Sequence, residues 1–441
     1  MSVSPARAAA FEIILRVEQE EAYASELLHS SKHAHLTTAD HRLATELVMG
    51  VLRWRSVLDR EIAQRSSAKL SKLDREVLTS LRLAAYQLLF LDRVPDRAAV
   101  HESVELVKQA RKRSAVPFVN AVLRKLAAAP ARLPPTPAKT SARLADSTAH
   151  PQWLVERWVR EFGIEVTAEV CRYDQQIPPT CIRVRNAEMQ DELKNAGLEL
   201  APGHLLASAR RVVEGDLNRV RVLRETPVII QDEASQLVAL LVGKGSSLLD
   251  CCAAPGGKTG SLAEQNPTAT ILAADLHPHR ARLLRELVSA ANVQVIAADA
   301  RELPTTAFFD RVLVDVSCSG TGTLARNPEI KWRLKPDDLL DLLNRQIAIL
   351  QSAMRRVAPG GRLVYSTCSL EREENQAVVE FALSANSAFR VVACRERLTE
   401  LQSSGDLVWK DIDSLINGPF LRTIPGLHPC DGFFAAFIEK T

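Results

Sequence analysis

The chain lacks most signatures that would remove it from the ordinary globular class. Its eight cysteines, at 171, 181, 251, 252, 318, 368, 394 and 430, form no paired framework, which excludes a small fold stapled by disulfides. No Cys-x-x-Cys stands with His at zinc-ligand spacing, so no metal is expected. No apolar run approaches the roughly 20 residues that cross a bilayer. Glu12 interrupts the short run Ala8–Leu15, and no signal peptide is expected. A Gly-x-Gly-x-x-Gly fingerprint is absent, and the one approach to a phosphate-binding loop has Cys252 where the first Gly must stand. What remains is a 441-residue chain, 46% apolar and 25% charged, long enough for two or three cores. Reduced thiols in a cytoplasmic protein, with no membrane partner, are the expectation.

Net charge is +3, and its distribution says more than its sum. Residues 1–135 hold 21 Lys and Arg against 15 Asp and Glu, an excess that suits either a solvated helical surface or a surface for a polyanion. Lys108, Arg111, Lys112 and Arg113 form one cluster there. The same region reads as helical throughout. Apolar residues at 10, 11, 14, 15 and 17 keep helical spacing, the pattern repeats over 40–55, 74–91 and 116–126, and Pro95 breaks the chain between two helices. The stripe Leu81, Ala84, Ala85, Leu88 and Leu89 is predicted core.

Pro130, Pro134, Pro135 and Pro137 among Ala, Thr and Ser predict a linker over 131–149. A helix follows over 151–162, with Trp153 and Trp158 on its inner side. From Thr180 the period changes to strand-like alternation, with a helix over 188–196 ended by Gly197 and strands over 210–213 and 220–223. This predicts a small α+β domain over 150–226. Its arginines at 183, 185, 210, 211, 219, 221 and 224 suit either phosphate contact or solvated strand faces.

After Pro227 strand-like runs alternate with helices: 247–252, 270–275, 293–299, 311–315, 362–367, 390–394 and 433–438. That order predicts an α/β, doubly wound, mostly parallel seven-stranded sheet over 227–441, with the last strand antiparallel. In such a sheet, ligands and reacting groups gather at the carboxyl ends of the strands. Three strand-end signals therefore predict one shared pocket.

The first signal is the turn Cys252-Ala253-Ala254-Pro255-Gly256-Gly257-Lys258, after the strand ending in Asp250. Small residues there let a ligand approach the backbone and the start of the next helix. Asp275 ends the second strand 25 residues later, near the spacing at which an acid meets ribose hydroxyls. Asp299 ends the third strand, placed for an adenine amino group, although Asp299-Ala-Arg also suits a loop start. Together they point to S-adenosylmethionine.

The other two signals are thiols, Cys318 in Asp-Val-Ser-Cys-Ser-Gly and Cys368 in Tyr-Ser-Thr-Cys-Ser. Carbon 5 of cytosine is too weak a nucleophile to take a methyl group from a sulfonium directly. A thiolate adding to carbon 6 activates it, and a base must afterwards remove the proton at carbon 5 so that the thiol can leave. Two cysteines suit these two tasks, and spacing does not say which attacks. A buried Cys is commonly an apolar filler, but strand-end positions followed by Ser favour chemistry. The attacking thiol needs its pKa lowered by a dipole or cation. Lys258 supplies a cation, for that purpose or for orienting cofactor or base. Asp315 could accept from the cytosine exocyclic amine. Asn327, Pro328, Lys331 and Trp332 follow in a polar loop expected to line the same cleft.

These motifs resemble those of the bacterial ribosomal RNA cytosine-5 methyltransferases with a NusB-like N-terminal domain (the Sun/Fmu family). Asp250–Thr259 is similar to the family's cofactor motif, and Asp315–Gly322 and Tyr365–Ser369 to its two cysteine motifs. Gln231–Gln236, His150–Trp153 and Phe118–Arg124 match its other recurring segments. The resemblance implies an all-α NusB-like RNA-binding domain over 1–130, a small domain like an RNA-recognition fold, and a Rossmann-like methyltransferase domain. It implies Cys368 as nucleophile and Cys318 as the residue promoting release. It places S-adenosylmethionine against Cys252, Ala253, Ala254, Pro255, Gly256, Gly257, Lys258, Asp275, Asp299 and Asp315. The implied substrate is 16S ribosomal RNA or an early small-subunit particle, met by a monomer. One residue departs from the pattern: Ser317 stands where the family has Pro. Two other functions compete, cytosine methylation of DNA and a non-catalytic RNA-binding or assembly role.

Overall fold

The computed structural model describes residues 3–20, 22–128, 139–215, 217, 228–384 and 386–441. Packing divides the chain into two units, Met1–Ile177 with Leu324–Leu334, and Pro178–Thr323 with Lys335–Thr441.

The first unit is helical. Its N-terminal helices span Pro5–Glu20, Ala24–Leu28, Thr38–Arg65, Arg75–Phe90, Asp96–Gln109 and Val116–Ala128. The Thr37 side chain accepts from the Asp40 amide and starts the longest of them, satisfying one otherwise open donor. The apolar faces meet in one core around Ile13, Ile14, Leu47, Leu58, Leu81 and Leu123. Of the predicted stripe, Leu81, Ala84 and Ala85 are fully buried and Leu88 and Leu89 partly so. In the basic cluster, Lys108 pairs with Glu105 at 2.6 Å and Lys112 with Asp74 at 3.1 Å.

The linker expected over 131–149 needs correction at its C-terminal end, while its proline-rich part lies outside the described residues. Ser141–Thr148 is helical, with the Thr140 hydroxyl accepting from the Arg143 amide. The prolines stop at 137, and nothing after them prevents a capped helix. Gln152–Tyr173 is helical too, broken at Gly163 where φ is +82°, and Trp158 is buried on it.

The second unit carries two sheets. The smaller is β1 (Thr180–Arg183), β2 (Glu199–Pro202), β3 (Ala209–Glu214) and β4 (Ile229–Ile230), in the order β2-β3-β1-β4, antiparallel throughout. The helix Ala187–Asn195 packs Met189 and Leu193 against Ile182, Val184 and Leu198. The strand expected over 220–223, with Arg219, Arg221 and Arg224, lies outside the described residues. Arg183 and Arg185 are held by Glu264 at 2.6 and 2.7 Å.

The larger sheet comprises β5 (Ser247–Asp250), β6 (Thr270–Asp275), β7 (Val293–Ala297), β8 (Phe309–Asp315), β9 (Val357–Thr367), β10 (Phe389–Val392), β11 (Ile416–Asn417), β12 (Phe420–Thr423) and β13 (Phe433–Lys440). Its order is β11-β12-β13-β9-β8-β5-β6-β7, and β10 also pairs with β13. Strands β5 to β9 run parallel, and β13 joins β9 antiparallel as expected. Among the described residues, nine strands stand where seven were expected. The two extra, β11 and β12, are too short to show alternation. Strand β10 runs antiparallel to β13 rather than extending the parallel set. All seven predicted strands are present, and β8 and β5 lie side by side at the centre, so their C-terminal ends are neighbours.

Candidate active site

The site is built in the second unit where β5, β6, β8 and β9 end. The turn after β5 runs along the tips of its neighbours: the Cys251 amide donates to Leu313 O at 3.0 Å and the Ala253 amide to Ala274 O at 2.9 Å. Gly256 then takes φ +116° and opens the helix Gly257–Gln265. A Cβ there would meet Val288 Cγ2 at 2.6 Å and Leu284 Cδ1 at 2.8 Å, so both the backbone angle and the space require glycine.

Acids gather around this turn. Asp250 is buried, and its Oδ2 accepts from the Thr259 hydroxyl at 2.8 Å. Burial pushes its carboxyl up to about 7, because the charged form loses its hydration. Asp275 accepts one backbone amide on each oxygen, Ala254 at 3.2 Å and His277 at 3.1 Å. Asp315 accepts from Lys258 Nζ at 2.6 Å on one oxygen and from the Ser366 hydroxyl at 2.7 Å on the other. Lys258 also donates to Ser235 Oγ at 2.7 Å and lies 5.3 Å from the Phe433 ring centre. Burial, and then the Asp250, Asp315 and Asp275 carboxylates, raise the Cys252 thiol. Cys252, Asp275, Asp315 and Lys258 are therefore brought together around the small residues Ala253, Ala254, Pro255 and Gly257. Asp299 is engaged otherwise. Its carboxylate is gripped by Arg301 Nε and Nη2 at 3.0 and 2.6 Å and caps the Arg301 amide at 2.9 Å. That pairing holds its pKa below the usual carboxylate range, the loop-start arrangement that Asp299-Ala-Arg allows.

The two thiols meet. Cys318 Sγ lies 3.3 Å from Cys368 Sγ. Cys368 follows β9 directly, whereas Cys318 sits three residues past β8 in a loop turned by Gly320 at φ +72°. The loops are stitched together: the Gly322 amide donates to Cys368 O at 2.9 Å, and the Gly432 amide to Gly322 O at 2.8 Å. A Cβ on Gly322 would lie 2.1 Å from Gly432 O, so no side chain fits between the strands' ends. The Cys318 thiol is held well above the ordinary thiol range, first by its hydrogen bond with Cys368 and then by burial. Ser317, the departure from the family pattern, is held through its carbonyl, which accepts from Gln346 Nε2 at 3.1 Å.

Sequence reasoning misses several residues here. Ser235 and Ser366 hold Lys258 and Asp315, and Glu374 lies fully buried beneath the cysteine loops. A hint was present in the Ser that follows each cysteine, since both hydroxyls point to that acid. The expectation for Lys331 and Trp332 is corrected. Both belong to the first unit, where Lys331 is 1% exposed and the Trp332 indole donates to Leu52 O at 2.6 Å. Among the described residues, no group of three or more His, Cys, Asp or Glu could hold a metal, and no helix is long and apolar enough to cross a membrane.

Comparison with known proteins adds relatives to this geometry. Residues 237–439 match the family described as 16S rRNA methyltransferase RsmB/F. Residues 4–128 match the NusB family, and 150–214 the RsmF/B-like ferredoxin-like domain. The chain is 33% identical to a probable ribosomal RNA small subunit methyltransferase B of Bacillus subtilis, over 100% of both chains. It is 32% identical to the ribosomal RNA small subunit methyltransferase B of Vibrio cholerae, over 91% of this chain and 90% of that one. Among solved structures, PH0851 aligns over 100% of both chains with a TM-score of 0.80 and 25% identity.

Proposed function

Starting from a chain that belongs to the family of S-adenosylmethionine-dependent ribosomal RNA small subunit methyltransferases B, we propose that it forms 5-methylcytosine in 16S ribosomal RNA through a covalent bond between Cys368 and the base. The counterpart of cytosine 967 is the proposed target, and the cytoplasm the proposed compartment. The observation that carries this reading is the 3.3 Å between the two sulfurs at the ends of adjacent parallel strands.

The residues of the turn fit the cofactor. Gly256 and Gly257 leave the start of a helix free of side chains, and Asp275 has one backbone bond on each carboxylate oxygen, leaving lone pairs for hydroxyl donors. Cys252–Lys258, Asp275 and Asp315 would hold it; Asp299 would first have to release Arg301. When bound, S-adenosylmethionine supplies an electrophilic methyl group.

The protein's own work is on the base. The Cys368 thiolate adds to carbon 6, forming the S–C6 bond and moving the C5–C6 π electrons toward carbon 5. Asp315, oriented by Lys258 and Ser366, would accept from the exocyclic amine. After methyl transfer, Cys318 as its thiolate takes the proton from carbon 5. Those C–H electrons restore the double bond, and the S–C6 pair returns to Cys368. The bond to Cys368 and burial keep the proton on Cys318 in the resting protein. Release needs the Cys318 thiolate, so it should quicken as pH rises, read as decay of the adduct in single-turnover reactions.

Labelled S-adenosylmethionine with 16S RNA or duplex DNA tests the reading. Cys368→Ala should abolish methylation and any denaturation-stable RNA adduct, while Cys318→Ala should accumulate the adduct. Adduct only in Cys368→Ala would reverse the roles. Labelling of DNA alone would replace RNA as substrate, and no labelling by the wild type would favour the non-catalytic role.

A further inference from the structure

Each cysteine is followed by a serine, and both serines lead to one buried acid. Glu374 has 0% exposure, in the short turn Arg372–Glu374 after β9. Its Oε1 accepts from the Ser319 amide at 2.8 Å and from Gln346 Nε2 at 2.9 Å. Its Oε2 accepts from the Ser319 hydroxyl and from the Ser369 hydroxyl, the latter at 2.5 Å. The two hydroxyls are themselves 3.0 Å apart. Gln346, on the helix Asp338–Met354, also donates to Ser317 O, so residues on both sides of Cys318 connect to the acid. The turn is fixed in its place: the Glu374 carbonyl accepts from the Tyr365 hydroxyl at 2.7 Å, and Asn375 Nδ2 donates to Ser369 O at 2.9 Å.

We propose that Glu374 is a positioning residue that fixes the Cys318 loop against the Cys368 loop, so that the two sulfurs meet at their 3.3 Å separation. The physical grounds are direct. Neither loop belongs to a strand at the cysteine, so the β8–β9 ladder ends before it can set the distance between sulfurs. Four donors converge on one carboxylate, from the residue after Cys318, the residue after Cys368 and a neighbouring helix. An ionised carboxylate accepts on both oxygens and donates nothing, and its charge strengthens each bond. A glutamine of the same size accepts on one oxygen only and presents an NH₂ group to two of the donors. Leucine would take this shared acceptor away from all four donors. The Cys-Ser pairing in both motifs thus serves a shared anchor, and the serines are parts of it.

The consequence for catalysis rests on the covalent reading above, because only that reading needs the second sulfur near the first. The geometric claim does not. The test uses the full chain and two readouts. Diamide, a two-electron oxidant, joins Cys318 and Cys368 into a disulfide as both thiols lose their protons and the diamide becomes the hydrazine. The rate of that closure reports the separation of the sulfurs without RNA or cofactor. In Glu374→Gln, closure should slow about tenfold or more. Methylation should show kcat reduced by about ten- to a hundredfold with KM for RNA unchanged, and adduct should accumulate as in Cys318→Ala. If Glu374→Gln fails to fold, the Ser319→Ala, Ser369→Ala double variant carries the same two measurements. Wild-type closure together with wild-type kcat in the variant measured overturns the proposal. If closure slows while the wild type forms no adduct, Glu374 keeps its positioning role and the covalent reading falls.

Discussion

Lys258 and Lys331 are both withdrawn from water, and the molecule surrounds their amino groups in opposite ways. In the sheet unit, Lys258 has a side chain 12% exposed, with Asp315 at 2.6 Å and Ser235 at 2.7 Å. In the helical unit, Lys331 is 1% exposed and its Nζ has no hydrogen-bond partner among the described residues. It lies 5.2 Å from the Trp332 ring centre, with Asp174 and Cys171 favouring its charge and Arg53 opposing it. Burial outweighs them and brings its pKa down to about 7. An ammonium kept charged needs close, bonded partners. One without them surrenders its proton instead. The comparison separates a lysine held for use from one whose alkyl stem fills a core.

The strongest way to break this contrast is Lys258→Met. If the charge of Lys258 orients Asp315 for the base, its loss should cut methylation by about 10²- to 10³-fold, with the melting temperature changed little. Initial rates with 16S RNA and labelled S-adenosylmethionine check this. A methionine variant with near wild-type rates would put Lys258 in the same structural class as Lys331.

The same contrast shows what the residues alone could and could not reveal. Strands β5 to β9 are legible because a buried parallel strand is a short apolar run, and their order places Asp250, Asp275, Asp315 and Cys368 at their C-terminal ends. The thiols are legible because their strand-end motifs suit one chemistry. Partners are a different matter. Lys258 and Lys331 look alike as letters, and whether an acid lies within bonding distance depends on contacts between residues 57 positions apart in the first case. Lys331 follows Cys318 by 13 positions and reads as part of the same loop, yet the chain from Leu324 to Leu334 packs into the helical unit. Glu374 is illegible for the reverse reason. An acid beside Glu371 and Glu373 reads as surface, and only the fold brings Ser319 and Ser369 to it. Strands β11 and β12 carry too few residues for a period to register.

Lys331→Met sharpens the comparison through pH. The sign follows from linkage. Folded Lys331 releases its proton near 7, while an unfolded lysine holds it to about 10.4. Between those values the unfolded chain binds the extra proton, so this residue's contribution to stability rises with pH. The variant lacks that contribution. Its stability relative to the wild type should therefore fall as pH goes from 7 to 9, by up to about 1.4 kcal/mol per unit. Parallel denaturant titrations at three pH values measure the slope, and a difference independent of pH would mean that Lys331 stays charged in the fold.

The smallest expected effect belongs to its neighbour. Trp332→Phe keeps an aromatic face near Lys331 but removes the indole donor that reaches Leu52 O at 2.6 Å. The Leu52 carbonyl, inside the helix Thr38–Arg65, loses its second donor, a cost of about 0.5–1.5 kcal/mol, and the pH slope assigned to Lys331 should remain as steep as in the wild type. If Trp332→Phe flattens that slope, the ring and not burial governs the lysine's proton, and the two lysines differ in their aromatic neighbours rather than in their acids.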